Sequence, residues 1–359
     1  MSSNNIVTPA KNNNFNLLRL ILASLVILSH APEMVDGNRS RELLTSLFHT
    51  ISFGEFAVDG FFLLSGYLIV QSWANTPDVF QFLRSRVLRI FPGFIVASLV
   101  CAFVVGPLAA NAAGYFSRLS ITGLIASLVL LQPPEVPPVF AGSFYPRING
   151  AMWTISFEFM CYMVVLLAGI AGLVGRRRAW LAATIVLFAA FVAERFAVLP
   201  SLPSQLMWFD PLIRLGSFFL VGGACYLYRE KISYSRPLAI LALIVLALGM
   251  KSWRLSELVL ATAGAYLMFF FAFKPIASLA KFNRLPDVSY GVYLYGWPVQ
   301  KLLLWTFPQL SPWSLSFWSL LGALALGTVS WYLIEKPFLK FKRLPSPKAV
   351  DVRSVLTAE

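Results

Sequence analysis

The chain has 359 residues, of which 58% are hydrophobic and only 13% charged, and its formal net charge is +13. So little polar sequence leaves no surface for a soluble domain of this size, and the apolar residues come in runs long enough to cross a bilayer. The basic residues punctuate those runs instead of forming one patch, which marks cytoplasmic loops and argues against nucleic acid as a partner.

Residues 1–13 form a polar tail, expected to be disordered and cytoplasmic. The first apolar helix, about 15–31, carries two polar side chains, Arg19 and His30, eleven positions apart. That spacing is about three helical turns, so both project from one face, roughly 16 Å apart along the axis. Such groups are costly in lipid and are expected to face a protein-lined or watery interior. The bland alternative is a snorkelling arginine and an interfacial histidine. Only two histidines occur in the chain, so His30 is the first candidate for proton transfer. Ser29-His30-Ala31 resembles a signal cleavage site, but Pro32 follows directly and many spans come after, which favours a retained span.

Residues 33–55 read as a polar loop. The second span, about 56–73, holds Asp59 near its start and Ser65-Gly66 within. The acid is either a helix N-terminal charge favoured by the dipole or a partner for a histidine, and the small pair favours close helix packing. A basic connection with Arg84, Arg86 and Arg89 then leads to a span at about 90–108. Those guanidiniums are either positive-inside anchors or a cytosolic anion site. Residues 120–131 are apolar but too few to cross, so they suggest a re-entrant segment. A loop with five prolines, 132–150, follows. Further spans lie near 151–174, 179–199, 211–228, 237–250, 256–273, 288–307 and 313–334. Asn149, Trp153 and Glu158 cluster at the start of the first of these, and a carboxylate that deep in apolar sequence calls for a partner or a site role. Arg214 lies inside another span and needs a carboxylate or carbonyl partner. Cys101, Cys161 and Cys225 sit in apolar runs without metal-like spacing and read as small core residues.

Charge orients the whole. With the N-terminus in the cytoplasm and 120–131 re-entrant, the basic clusters at 176–178, 229–231, 274–284 and 336–343 all fall inside, and only Lys251 and Arg254 are misplaced. The expected fold is an all-α, polytopic transmembrane helical bundle of about ten spans plus one re-entrant segment, with both termini cytoplasmic. Residues 14–341 form the membrane domain and 342–359 a cytoplasmic tail. No repeat of fixed period and no internal duplication is visible.

Five stretches, in order, resemble the acyltransferase-3 family of integral membrane acyltransferases. Arg19, ten residues and His30 resemble its Arg-x10-His signature. Asp59-Gly60-Phe61-Phe62-Leu63-Leu64-Ser65-Gly66-Tyr67 is similar to its D-x-F-F-x-x-S-G-F/Y stretch, and Arg86-Val87-Leu88-Arg89-Ile90-Phe91-Pro92 to its R-x-x-R-I-x-P stretch. Trp153 to Glu158 resembles its W-x-x-x-x-E stretch, and Ile334-Glu335-Lys336-Pro337-Phe338 its I-E-x-P-F ending. The chain departs from the pattern at Gly296. There, after Tyr290-Gly291-Val292-Tyr293-Leu294-Tyr295, many members carry a second histidine. That shifts the burden to His30.

The resemblance implies an O-acyltransferase of a bacterial inner membrane. It would move an acyl group, acetyl by default, from cytosolic acyl-CoA to a hydroxyl of a sugar in a surface polysaccharide, lipopolysaccharide or oligosaccharide. Acetyl-CoA would be a co-substrate, with no cofactor bound permanently and no metal. A hydroxyl needs a base as it attacks a thioester, and His30 is expected to be that base or a transient acyl carrier. Arg19 would bind the donor or stabilise developing charge, and Arg84, Arg86 and Arg89 would hold coenzyme phosphates. Glu158 and Asp59 would orient His30 or bind acceptor hydroxyls, and Trp153, Asn149 and Tyr293 would contact the acceptor. The competing class is a lipid or sugar exporter without covalent chemistry, because intramembrane Arg, His and Glu also suit a transport path.

Overall fold

The computed structural model describes residues 13–110, 114–196, 209–274 and 285–342. Most of the expected tails, and the basic loop with Lys281 and Arg284, lie outside the described residues. All regular structure among the described residues is helical. The order begins α1 (Phe15–Asp36), a 3-10 turn (Arg39–Arg41), α2 (Leu43–Phe48), α3 (Phe53–Asn75) and α4 (Val79–Ala109). It continues α5 (Tyr115–Arg118), α6 (Ile121–Val129), α7 (Trp153–Ile170), α8 (Arg177–Arg195) and α9 (Phe209–Leu227). It ends α10 (Arg236–Gly249), α11 (Ser256–Phe273), α12 (Ser289–Thr306) and α13 (Pro312–Lys340). Six helices, α1, α3, α4, α7, α11 and α13, are long and apolar enough to cross a membrane, and α10 is apolar but shorter.

Two boundaries differ from the sequence reading. The first helix does not stop at Pro32 but runs to Asp36, with Pro32 inside it. Gly37 ends it, with φ 75 and its N–H donating to the Glu33 carbonyl, a left-handed stop suited to glycine. Glu33 is therefore not in a loop but one turn beyond His30. Arg84, Arg86 and Arg89 likewise do not lie in a connection. Asp78 caps α4 by accepting from the Gln81 N–H, so the helix starts a full turn before them and carries all three.

The short apolar stretch forms α6, nine residues long. It rises about 14 Å, less than half of a hydrocarbon core of about 30 Å. The proline-rich stretch that follows has no regular structure.

The core is a bundle in which α1 packs on α3, α12 and α13, and α3 packs along α9. A capping box starts α3, with Ser52 accepting from the Glu55 N–H while the Glu55 carboxylate accepts from the Ser52 N–H. Small residues let α3 and α9 approach. A Cβ on Gly66 would collide with the Phe219 carbonyl, and one on Gly222 with that of Leu63. The last helix contains a π turn at Trp331–Glu335, which places Glu335 in the buried interior beside α4.

Candidate active site

Two of the cavities that α1 lines hold its polar side chains, Arg19 and His30. The larger, about 310 Å³, is lined by Arg19 from α1, Arg86 and Arg89 from α4, Glu158 from α7, and Asp287 and Lys342. Asp287, just before α12, binds two arginines at once, with Arg19 Nη1 at 2.8 Å and Arg89 Nη2 at 2.7 Å from its Oδ2. Its Oδ1 accepts from the Ser289 hydroxyl at 2.5 Å. Burial alone would raise the Asp287 carboxyl, but Arg89 and Arg19 outweigh it and hold the group well below the usual carboxylate range. Arg89 also lies 3.8 Å from the buried Glu335. Arg86 donates to the Ser72 and Ser85 hydroxyls, and its guanidinium lies over the rings of Phe82 and Tyr162. Arg84 does not line this cavity.

Glu158 faces the same cavity and accepts from Ser65 Oγ at 2.6 Å and from the Tyr162 hydroxyl at 2.5 Å. Both hydroxyls satisfy a carboxylate that the sequence leaves alone in apolar surroundings. Tyr293 shares its hydroxyl with Thr154 and the Ala151 carbonyl, tying α12 to the start of α7. Asn149 is buried. Its amide donates to the Leu294 carbonyl at 2.8 Å, and its oxygen accepts from the Ala151 N–H. The side chain thus braces the loop that leads into α7.

The second cavity, about 160 Å³, holds His30, Arg39, Glu55, Trp153 and Arg214. His30 Nδ1 lies 3.5 Å from Glu33 Oε2, and its ring meets Trp297 edge-on at 4.8 Å. Arg39 grips the same carboxylate, with Nη2 to Oε1 at 3.0 Å and Nε to Oε2 at 3.2 Å. The carboxylate beside His30 is thus Glu33. Asp59 is fully buried and receives Arg214 at 2.9 Å, while Glu158 belongs to the other cavity. Arg214 also reaches Glu257 at 3.0 Å, and Glu257 in turn pairs with Arg195. Arg214 thereby finds its carboxylates, and of this cluster it alone lines the His30 cavity.

The two cavities meet. Val58 and Tyr293 line both, so the Arg19 chamber and the His30 chamber stand on either side of one thin partition. Trp153 lines the His30 chamber and also two flanking cavities, of about 240 and 350 Å³. Arg19 and His30, three turns apart on one helix, each face a different chamber.

An acyltransferase domain family matches residues 12–336 of this chain. The chain belongs to the acyltransferase-3 family. An O-acetyl transferase of Shigella phage Sf6 is 29% identical, covering 92% of this chain and 96% of its own length. Nodulation protein 10 of Rhizobium leguminosarum bv. viciae is 26% identical over 95% of this chain and 97% of its own. The acyltransferase MdmB of Streptomyces mycarofaciens is 31% identical over about half of each, 49% of this chain and 47% of its own. No solved structure matches significantly. In this member of the acyltransferase-3 family, Gly296 packs on Ile27, where a Cβ would come within 2.8 Å of Cγ1. The neighbouring Trp297 instead supplies the ring beside His30.

Sequence reasoning missed Glu33, Arg39, Asp287 and Lys342. Glu33 had a readable signal, an acid three positions after His30 on a helix. Asp287 had none, because its partners are 268 and 198 positions away.

Proposed function

We propose that this protein is a membrane-embedded O-acyltransferase that moves an acetyl group from cytosolic acetyl-CoA to a sugar hydroxyl of a surface glycan. The observation that carries the reading is the shared partition at Val58 and Tyr293, which puts a cationic chamber against one holding a carboxylate-supported histidine. The cationic chamber suits a phosphate-bearing donor. The His30 chamber, with Trp153 at its rim, suits a hydroxylated acceptor. The phage relative is an O-acetyl transferase, which supports acetyl as the group moved.

In this reading the donor thioester reaches the partition from the Arg19 side and the acceptor from the His30 side. Glu33 stands 3.5 Å from His30 Nδ1 and fixes which side of the ring faces it, leaving Nε2 as the base. Nε2 takes the hydroxyl proton as the oxygen attacks the thioester carbonyl. Collapse of the tetrahedral intermediate forms the ester and breaks the carbon–sulfur bond, and the imidazolium returns its proton to the leaving thiolate. Arg19 lies on the donor side, where it offsets negative charge. Glu158 and Asp59 act through what they hold, the hydroxyls of Ser65 and Tyr162 in one case and Arg214 in the other. The topology that fits this division is the ten-span arrangement with α6 re-entrant and both termini in the cytoplasm of a bacterial inner membrane.

The test is transfer of label from acetyl-CoA in membrane vesicles supplied with an envelope-glycan extract. Label passing to glycan with wild type and not with His30→Ala supports the reading. No transfer, together with no coenzyme A binding by purified protein, would favour export without chemistry.

A further inference from the structure

The larger cavity is unbalanced in charge. Its lining carries four cations, Arg19, Arg86, Arg89 and Lys342, against two carboxylates, Glu158 and Asp287. Asp287 engages Arg19 and Arg89 together, and Glu335 stands behind Arg89. Arg86 is left with hydroxyls and aromatic rings and no ion pair among the described residues. Lys342 lines the cavity, and its ammonium has no hydrogen bond or ion pair among the described residues. Burial first, then the guanidiniums of Arg86, Arg89 and Arg19, push its ammonium down to about 8. Like charges gathered away from bulk water repel, and an anion seated among them relieves the repulsion.

We propose that Arg86 and Lys342 form the phosphate-binding subsite of this chamber, while Arg19 and Arg89 are committed to Asp287. The proposal rests on the reading of the chamber as the donor site and names which of its cations are free to hold the coenzyme. Lys342 lies six residues past the end of the family match at 336, outside every motif of the family. The geometry divides labour by pairing. A guanidinium already held by a carboxylate offers its remaining donors to the wall, whereas an unpaired cation has its full charge to give to a phosphate.

Two sources could supply that phosphate, the coenzyme or an anionic lipid headgroup, and one experiment separates them. Acetyl-CoA binding is measured by calorimetry on protein in phosphatidylcholine nanodiscs, for wild type, Lys342→Gln, Lys342→Arg and Arg86→Gln. Adenosine 3′,5′-bisphosphate serves as a competitor, and a parallel set contains phosphatidylglycerol. Lys342 is partly exposed at the end of the last helix, so its replacement leaves the bundle intact. The expected result is binding weakened about tenfold or more in Lys342→Gln and Arg86→Gln, near-wild-type binding in Lys342→Arg, and competition by the bisphosphate. Equal binding by wild type and Lys342→Gln would overturn the subsite while leaving the donor chamber standing. No acetyl-CoA binding by wild type would overturn the donor reading itself. Inhibition by phosphatidylglycerol that Lys342→Gln relieves, without competition by the bisphosphate, would assign the cations to a headgroup and overturn the proposal.

Discussion

His30 Nδ1 lies 3.5 Å from Oε2 of Glu33, one turn further along the same helix, and Arg39 holds both oxygens of that carboxylate. In the proposed reaction this carboxylate orients the imidazole and supports the charge it gains on taking a proton. It also leaves Nε2 without a partner on its own helix. His30→Ala is expected to abolish transfer, since a positioned base is worth about 10²–10⁴ in rate. Glu33→Gln keeps the shape but not the charge, and its kcat should fall about 10²-fold with KM for acetyl-CoA little changed. Initial rates of labelled transfer in vesicles decide this. An unchanged kcat in Glu33→Gln would remove the carboxylate from the mechanism.

Val58 offers a test of the partition, because it lines both chambers from α3. Val58→Trp should fill the space between them. Coenzyme A should still bind, because the cations lie on the far side, but transfer should fall at least about tenfold. Calorimetry paired with the transfer assay reads both. Transfer at the wild-type rate in a stable Val58→Trp protein would mean that the reacting groups meet elsewhere.

Asp59 is fully buried against Arg214. Removing one partner of an isolated buried pair costs about 3–5 kcal/mol; Arg214 would keep Glu257 at 3.0 Å, so the loss here should be smaller but still measurable. Asp59→Asn should therefore lower the thermal unfolding midpoint in detergent. The double change Asp59→Leu with Arg214→Met should recover much of that loss. A wild-type midpoint in Asp59→Asn would show that the pair does not support the fold.

Donor affinity should depend on pH through Lys342. It faces Arg19 from α1, Arg86 and Arg89 from α4, and Asp287 before α12. With its ammonium lowered to about 8, Lys342 is protonated below that pH and neutral above it. An anion prefers the protonated form, so acetyl-CoA should bind most tightly below about pH 8 and progressively less tightly above. The arginines stay charged throughout this range. Kd measured from pH 6.5 to 9.5 should rise across that window in wild type and stay flat in Lys342→Gln. A rise of equal size in both would place the titration on another group.

The sequence by itself determined the class of fold and singled out many of the polar residues that line the two chambers. Apolar runs with so few charges leave the chain no soluble alternative, and each helix satisfies its own backbone hydrogen bonds, so helices were readable one at a time from local sequence. Arg19 and His30 were legible for the same reason, since a polar group inside an apolar run stands out at a fixed spacing on one helix. Helix ends were less legible. The first apolar run ends near 31 whereas Gly37 makes the actual stop, and Asp78 starts α4 about three turns before the apolar run at 90 does. Only the tertiary structure decided the pairing. Asp287 reaches Arg19 across 268 positions, and Arg214 finds Asp59 across 155. Burial demands that each charge find a partner, but which partner depends on how helices distant in sequence pack. The same packing set Arg19 and His30 into separate chambers with Val58 and Tyr293 between them, a relation that no spacing along the chain encodes.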